Sequence, residues 1–514
     1  MKLVIISFCE NPLIPNLISS YLKEKGHEVN LIYIRDQLNQ DNTKQLIQLI
    51  KSLNPDFIGI EVFTISLNKA KFLTNELKKQ LEIKIIWGGP HTIIEPEISL
   101  DFADAICIGE AEESLLNLLN HPQKTNINGI WFKKNNKIIK NPPEILEENL
   151  DKYPFPDYST EDNYILTKTN YKQITKELID KIISTRYPII TSRGCPFSCT
   201  FCDNNHKRKK YIGRYFRKRS VNNIIKELEL AKQKFKYISF VQIWDDLFLS
   251  RNLEEIKEFS KLYKEKINLP LECNAHFSYI TKEKIQFLKE AGLREINIGI
   301  ESGSEKIRYE VYNKKIPQKL IIETANYLNR LSLTVRYNLI FNNPYENIED
   351  LKETIELFLK FPRPFEIQGF NLVFFPGTEL YERTIKDNFI EPKQIKEINN
   401  LNDKDLFDFS YEGQKDNPLY KLNFSNKEKI YYNKLITLTP TLPRKFLKYA
   451  KNNENQISHL SLISYNGIMY PIKFTLTKSF EFVKKHPTIK VPLAKLLIKS
   501  PRLVSIVKMR KWFK

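Results

Sequence analysis

The sequence predicts an α/β protein with an N-terminal doubly wound parallel sheet, a partial (β/α)6 barrel and a mostly helical, basic C-terminal region. Apolar, strand-like runs alternate with helical segments over residues 1–125, as is typical of parallel sheets with crossover helices. The alternation resumes over residues 186–378. Across residues 441–514, 16 Lys and Arg accompany only two Glu, so this stretch carries +14 of the net charge of +19.

The first part, residues 1–125, contains five predicted strands separated by helices. The predicted strands are Lys2–Phe8, Glu28–Ile34, Phe57–Val62, Lys84–Trp87 and Ala105–Ile108. The predicted helices are Leu13–Lys25, Asn42–Leu53, Asn68–Gln80 and one that starts at Glu112.

Residues suited to ligand binding follow three of these strands. Ligands of doubly wound sheets bind at the carboxyl ends of the strands, and glycines there let the backbone approach a ligand closely. The candidate contacts are Thr64, Ser66, Gly88, Gly89, Gly109 and Glu110.

Residues 126–185 are predicted to connect the first part to the barrel. Closely spaced prolines in Asn141–Pro143 and Tyr153–Asp157 disfavour helix there. The segment Trp131–Ile139, with Asn135-Asn136 at its centre, predicts a small hairpin.

The barrel segment, residues 186–378, has polar residues after nearly every predicted strand, where a barrel places its active site. Its predicted strands are Ile189–Ser192, Ile238–Ile243, Leu271–Asn274, Glu295–Ile300, Thr334–Phe341 and Glu366–Val373. The chain beyond it, residues 379–514, is predicted to be mostly helical.

Three cysteines, Cys195, Cys199 and Cys202, lie within eight residues after the first barrel strand. Three thiolates on one loop can hold three irons of a four-iron cluster and leave the fourth iron open to a small molecule. The alternatives are a zinc site with His206 as a fourth ligand, or three unrelated thiols. Zinc favours four ligands in paired spacing, and the other cysteines are scattered singly.

The Cys-x3-Cys-x2-Cys spacing, with Phe201 before the last cysteine, resembles the cluster loop of the radical S-adenosylmethionine (SAM) enzymes. The resemblance implies that Cys195, Cys199 and Cys202 ligate a [4Fe-4S] cluster. It also implies that SAM binds the open iron and is cleaved to a 5′-deoxyadenosyl radical.

By the same resemblance, Phe201 would contact the adenine of SAM, and Asp245 and Asp246 would lie near its amino group or the substrate. Glu301, next to Ser302, would contact ribose or SAM. The alternative is that these acids and Ser302 cap helices.

Two positions depart from the family pattern. Asn342-Asn-Pro-Tyr-Glu346 stands where relatives often have Gly-x-Pro-Gly-Glu, although Asn tolerates left-handed backbone better than most residues. His276 stands where an arginine is commoner, and it is a candidate for substrate contact or an ordinary satisfied side chain.

The run Pro55–Thr64, followed by Ile86–His91 and Ile108–Glu113, resembles the cobalamin-binding domain attached to many radical SAM enzymes. The Asp-x-His-x-x-Gly motif that supplies a cobalt ligand is absent from the sequence. His27 and His91 are weak substitutes, and His27 is expected to be solvated in a turn. The alternative is a flavodoxin-like domain that binds no ligand.

These resemblances imply an enzyme that transfers a methyl group from cobalamin to an unactivated carbon. The basic C-terminal segment described below favours a small or lipid-like substrate. The alternatives are cyclisation or rearrangement without methyl transfer, a tRNA-modifying enzyme, and a non-catalytic sensor. A tRNA methylthiotransferase needs a second cysteine cluster, which Cys9 and Cys107 cannot supply. The expected electron donor is a flavodoxin-like or ferredoxin-like protein.

The segment Val491–Lys514 interleaves apolar and basic residues and ends in an aromatic pair. Such a pattern favours peripheral contact with an anionic membrane; a solvated basic helix is the alternative, and no nucleic-acid-binding signature supports RNA. The sequence has no apolar run of the ~18 to 20 residues that span a bilayer, and its N-terminal apolar run resembles a buried strand more than a signal peptide. We therefore expect a cytoplasmic protein, with membrane contact restricted to this segment.

Overall fold

The computed structural model describes residues 1–9, 13–35, 38–166, 170–183, 185–391, 393–394 and 427–452. These residues form two compact units. The first contains described residues from 1–298, 309–315 and 372–394, and the second those from 299–308, 316–371 and 427–452. No helix in the described ranges has the length and hydrophobicity needed to cross a bilayer.

The N-terminal half of the first unit contains a nine-stranded sheet. Its strands are β1 Lys2–Ser7, β2 Glu28–Ile34, β3 Phe57–Glu61, β4 Lys84–Gly88, β5 Ala105–Cys107, β6 Ile130–Lys134, β7 Lys137–Ile139, β8 Asn163–Leu166 and β9 Tyr171–Gln173. Its helices are α1 Leu13–Glu24, α2 Gln40–Leu53, α3 Leu67–Lys78, α4 Pro90–Ile94, α5 Pro96–Ser99, α6 Ala111–Asn120 and α7 Lys176–Ile183.

The strand order is β7-β6-β5-β4-β3-β1-β2-β8-β9, and the five predicted strands are parallel to one another. Their side chains are buried on both faces, as in the run Leu3–Ile6, which explains the continuous apolar sequence of β1. Strand β1 lies between β2 and β3, so the strand order reverses there. This reversal creates a topological switch point at the carboxyl edge of β1 and β3.

The connector contributes strands to both edges of this sheet. Strands β6 and β7 extend one edge as a hairpin, and β8 and β9 extend the other. The predicted hairpin is confirmed: Asn135 and Asn136 form its two-residue turn, with φ of 51° and 58°. Covering the sheet edges satisfies backbone groups that would otherwise be unpaired.

The barrel segment contains the remaining strands and helices. The strands are β10 Arg186–Ile189, β11 Ser192–Arg193, β12 Arg217–Lys218, β13 Phe240–Ile243, β14 Leu271–Ala275, β15 Leu293–Glu301, β16 Thr334–Phe341 and β17 Glu366–Asn371. The helices are α8 Asp203–Lys210, α9 Val221–Lys234, α10 Leu253–Leu262, α11 Lys282–Ala291, α12 Gln318–Arg330, α13 Ile348–Lys360, α14 Glu379–Lys386, α15 Lys427–Thr437 and α16 Arg444–Asn452.

In the first unit, β10, β13, β14 and β15 pair in parallel in that order. The first barrel strand ends earlier than predicted, at Ile189, and Ser192–Arg193 instead pair antiparallel with β12. The edge position of β10 accommodates Pro188, which lacks a backbone donor.

The second unit contains the parallel pair β16 and β17, with α15 packed against α13. Helix α14 of the first unit and helices α15 and α16 of the second follow residue 378, where the sequence predicts mostly helix. The basic segment Val491–Lys514 lies outside the described residues.

Candidate cofactor site

The three cysteines lie on the loop between β11 and α8, and all three are half-buried. Cys202 immediately precedes the first turn of α8, where helix N-terminal N–H groups favour a thiolate. The loop begins at Gly194, whose φ is 82°. A Cβ there would lie 2.4 Å from the backbone oxygen of Tyr215, so only glycine fits.

Hydrogen bonds from several parts of the first unit hold this loop. Thr200 donates its hydroxyl to the Val311 carbonyl at 2.5 Å and its backbone N–H to the Tyr312 carbonyl at 3.2 Å. Arg208 donates to the Pro196 carbonyl at 2.8 Å. The cysteines are therefore displayed by a loop with a fixed backbone.

The three thiols suit an iron–sulfur cluster. Burial raises the pKa of Cys195 to about 11 and that of Cys202 to about 12, and the neighbouring Cys199 adds to both shifts. Thiols in this state ionise at neutral pH when a bound cation compensates their charge. Three cysteines with no hard oxygen ligand are the donor set that iron–sulfur clusters use.

The zinc alternative needs His206 as a fourth ligand beside the three cysteines. His206 donates Nδ1–H to the Gly377 carbonyl at 2.8 Å, and among the described residues its buried Nε2 has no hydrogen-bond partner. Its ring fills the space beside Gly377, where a Cβ would lie 2.3 Å away.

Asp245, for which the sequence predicts a contact with SAM or substrate, holds the start of the cysteine loop through protein donors. Its carboxylate is buried and accepts four hydrogen bonds, two each from Thr191 and Ser192, at 2.5–3.1 Å. Burial raises the pKa of Asp245, and these donors oppose the rise. Both carboxylate oxygens are occupied, so we assign Asp245 a positioning role.

Asp246 and Trp244 are exposed next to Asp245, at the carboxyl end of β13. Asp246 accepts a hydrogen bond from Asn204 at 3.2 Å, on the helix that follows the cysteine loop. Asp246 remains a predicted cofactor or substrate contact, and Trp244 is an additional candidate that the sequence analysis missed. A tryptophan directly before two acids at a strand end was the available signal.

Aromatic side chains flank the loop. Phe201 packs edge-on against Tyr312, with ring centroids 5.1 Å apart. Phe197 packs on His276 at 3.9 Å, and burial lowers the pKa of His276 to about 3. The adenine contact of Phe201 remains a prediction, and His276 behaves as a buried neutral ring.

In the second unit, Glu301 ends β15 with a left-handed backbone, φ 69°. Ser302 is buried and donates its hydroxyl to Glu346 at 2.8 Å. Ser302 therefore supports the loop before α13, and its hydroxyl also accepts the Ser304 N–H at 3.2 Å, just before the next helical segment. Its contact with SAM stays a prediction. Asn342 also adopts left-handed geometry, φ 62°, as its side chain permits.

At the N-terminal sheet, the predicted ligand residues separate into different roles. Gly89 has φ 101°, and a Cβ there would lie 2.8 Å from the Val62 carbonyl, so glycine is required. At Gly88 and Gly109 a Cβ would make only ordinary contacts. The Thr64 hydroxyl contacts His91 Nδ1 at 3.3 Å.

Ser66 accepts a hydrogen bond from the Phe63 N–H at 3.0 Å and so closes the turn after β3. His91 is fully buried, and His27 is also buried, with Nε2 3.1 Å from Asn120. The expectation of a solvated His27 is therefore wrong: the turn packs against α6. His91 follows the carboxyl end of β4 but is fully buried, and His27 precedes β2 at the amino edge of the sheet.

Glu110 connects this sheet to the start of the cysteine loop. Arg193 donates to Glu110 at 2.8 Å and to Glu112 at 2.6 Å, and Arg217 forms a bidentate pair with Glu110. Burial would raise the pKa of Glu110, but Arg193 and Arg217 hold it below its usual value. We call these four residues the carboxylate–arginine clamp.

Glu110 therefore already binds two protein cations, and its contact with a cofactor stays a prediction. The sequence did not predict the clamp, because its acidic and basic residues are far apart in the chain. Glu110 and Arg193 are separated by 83 residues. Arg193 precedes Gly194 and Cys195 directly, so the clamp fixes the point where the cysteine loop begins.

Comparisons with known proteins agree with this arrangement. The family model for the B12 binding domain matches residues 6–119, and that for the radical SAM superfamily matches residues 189–358. An uncharacterized methyltransferase of Pyrococcus horikoshii is 26% identical over 391 residues, covering 73% of this chain and 80% of the relative.

Two further proteins are similar over most of the chain. Cytidylyl-2-hydroxyethylphosphonate methyltransferase of Streptomyces wedmorensis is 22% identical over 450 residues, covering 75% of this chain and 80% of the relative. The solved structure of TsrM, a radical SAM methyltransferase of Kitasatospora setae with cobalamin and a [4Fe-4S] cluster bound, shares the fold. Its TM-score is 0.60 at 15% identity, with 75% of each chain covered.

Fold, cysteine loop and family matches define an enzyme that uses a [4Fe-4S] cluster, SAM and cobalamin. The chain belongs to the cobalamin-binding radical SAM enzymes.

Proposed function

We propose that this enzyme transfers a methyl group to an unactivated carbon of a small or lipid-like substrate. When bound, the cluster supplies the electron that cleaves SAM, and cobalamin supplies the methyl group. The carboxylate–arginine clamp carries the proposal, because it joins the B12-binding domain to the loop of cluster cysteines. The methyltransferase names of the relatives that cover three quarters of the chain support the same reaction class.

The residues of the chain have separable parts in this reaction. Cys195, Cys199 and Cys202 hold the cluster, while Asp245 fixes the backbone that leads into their loop. Trp244 and Asp246 are exposed beside that loop and are our candidates for contact with SAM or substrate.

The test is anaerobic reconstitution with iron, sulfide and hydroxocobalamin, followed by incubation with SAM and a reductant. We expect both 5′-deoxyadenosine and S-adenosylhomocysteine from the wild type, because SAM acts as radical source and as methyl donor. Cys199→Ala should form no deoxyadenosine, whereas the buried Cys273→Ala should form it normally. Deoxyadenosine without S-adenosylhomocysteine would instead favour cyclisation or rearrangement.

The lipid-like substrate class is supported by the basic, apolar segment Val491–Lys514. Vesicles of phosphatidylglycerol should bind the full chain more strongly than a variant that lacks this segment, because lysines and arginines attract anionic lipid. Neutral phosphatidylcholine vesicles are the control. Equal binding of both proteins to anionic vesicles would contradict membrane association.

A further inference from the structure

The carboxyl edge of the N-terminal sheet has a polar pair at its topological switch point. Strands β1 and β3 are neighbours, and the helices that follow them have different partners: α1 contacts α6, whereas α3 contacts α2. Loops that diverge in this way open a crevice between the two strand ends, and ligands of doubly wound sheets bind there. Ser7 and Glu61 are the last residues of these two strands.

Ser7 and Glu61 join across this crevice. The buried hydroxyl of Ser7 donates to Glu61 Oε2 at 2.5 Å, and Glu61 itself is half-buried. Among the described residues, Glu61 forms no ion pair and no second hydrogen bond. One carboxyl oxygen thus remains available to a ligand.

The environment of Glu61 favours a neutral acid. Burial raises its pKa to about 7, and the Ser7 hydrogen bond offsets part of the rise. A protonated carboxyl both donates and accepts hydrogen bonds. It can therefore pair with a carboxamide or a bound water without burying a charge.

Two large apolar side chains are exposed directly after β3. Phe63 is 38% exposed and Ile65 is 41% exposed. Exposed apolar groups beside a polar pair are typical of ligand sites, which combine apolar walls with few polar contacts. The edges of a corrin carry carboxamides and its faces are largely apolar, so the crevice matches its chemistry.

We propose that Ser7 and Glu61 form the floor of the cobalamin site, with Phe63 and Ile65 packing against the corrin. This inference rests on the cobalamin requirement of the proposed function and assigns that requirement to particular residues. Neither His27 nor His91 is placed to contact cobalamin there. His91 is fully buried, and His27 precedes β2, at the amino edge of the sheet.

The test is titration of the full chain with hydroxocobalamin, followed by its visible spectrum. We expect Glu61→Ala to raise the dissociation constant at least about tenfold, because the loss of a buried hydrogen-bond partner has an effect of this size. The spectrum of the bound cofactor should change as well. Glu28→Ala is the matched control: Glu28 begins β2 at the opposite edge of the same sheet and is exposed.

Phe63→Ser is a second variant. Because the Phe63 side chain is exposed, its replacement should not unfold the protein, so weaker binding would report on the contact itself. We expect weaker binding with an unchanged melting temperature. If wild type binds cobalamin and both Glu61→Ala and Phe63→Ser bind it equally well, this inference is overturned and the proposed function stands. If the folded wild type binds no cobalamin, both are overturned.

Discussion

Asp245 shows how one buried carboxylate can organise a cofactor loop without touching the cofactor. It accepts hydrogen bonds from the backbone and hydroxyl groups of Thr191 and Ser192. Ser192 lies three residues before Cys195. Because a buried donor that loses its acceptor retains its full desolvation cost, the position of these two residues depends on Asp245.

We therefore expect Asp245→Asn to destabilise the protein by about 2–3 kcal/mol, since its amide group cannot accept from all four donors. Iron bound per chain after reconstitution should fall as well. Asp246→Asn is the matched control. Asp246 is the exposed neighbour of Asp245, so its replacement should change the stability of the protein by less than about 0.5 kcal/mol. Denaturation midpoints and iron content check both, and equal iron content in the two variants would contradict the positioning role.

Glu346 in the second unit predicts a dependence of stability on pH. Burial raises its pKa from 4.5 to about 8, so the folded state favours the protonated acid. The corresponding stabilisation is fully present below about pH 4.5 and is lost as the pH rises through 8. Glu346→Gln stays neutral and still accepts from Ser302.

Relative to wild type, Glu346→Gln should therefore gain on the order of a few kcal/mol between about pH 5 and pH 9. Melting temperatures measured across this range check the expectation. Glu349→Gln is the control on the same helix, because Glu349 is 75% exposed. A wild type and Glu346→Gln with parallel pH profiles would show that Glu346 titrates normally.

At the scale of elements, the turn between β4 and α4 depends on one glycine. Gly89 combines φ 101° with a contact to the Val62 backbone that excludes a Cβ. Replacement would displace α4 and the end of β3, where Phe63 and Ile65 lie.

Gly89→Ala should cost about 1–3 kcal/mol of stability through backbone strain and should weaken hydroxocobalamin binding. Gly59→Ala is the matched control within β3, because its Cβ would lie 3.8 Å from its nearest neighbours, an ordinary contact. Melting temperature and cobalamin titration distinguish the two. Gly89→Ala with wild-type values in both measurements would contradict the requirement.

At the scale of the whole molecule, the carboxylate–arginine clamp joins two sequence regions that match separate family models. Its side chains are largely buried: Arg217 is 1% exposed and Glu112 is 3% exposed. Buried pairs resist screening by salt, and removal of one partner leaves the other charge uncompensated.

Glu110→Gln should therefore destabilise the protein by about 3 kcal/mol and lower deoxyadenosine formation, at low and at high salt alike. Glu97→Gln is the control, because the Glu97–Lys140 pair is exposed. Melting temperatures and deoxyadenosine yields at two salt concentrations provide the check. A Glu110→Gln effect that disappears at high salt would indicate a solvent-exposed pair.

The sequence by itself determined the features that depend on local pattern. Apolar periodicity located the strands and helices, Asn135-Asn136 located a hairpin, and the spacing of Cys195, Cys199 and Cys202 indicated the cluster loop. Each of these signals arises within a few residues of chain, so each is readable without knowledge of the fold.

Only the tertiary structure showed which protein donors surround Glu110 and Asp245, two carboxylates that the sequence predicts as ligand contacts. It also brought Ser7 and Glu61, 54 residues apart, into contact across the switch point. The physical reason is that a carboxylate's role depends on which donors surround it. Those donors come from distant segments whose meeting is set by strand order and packing.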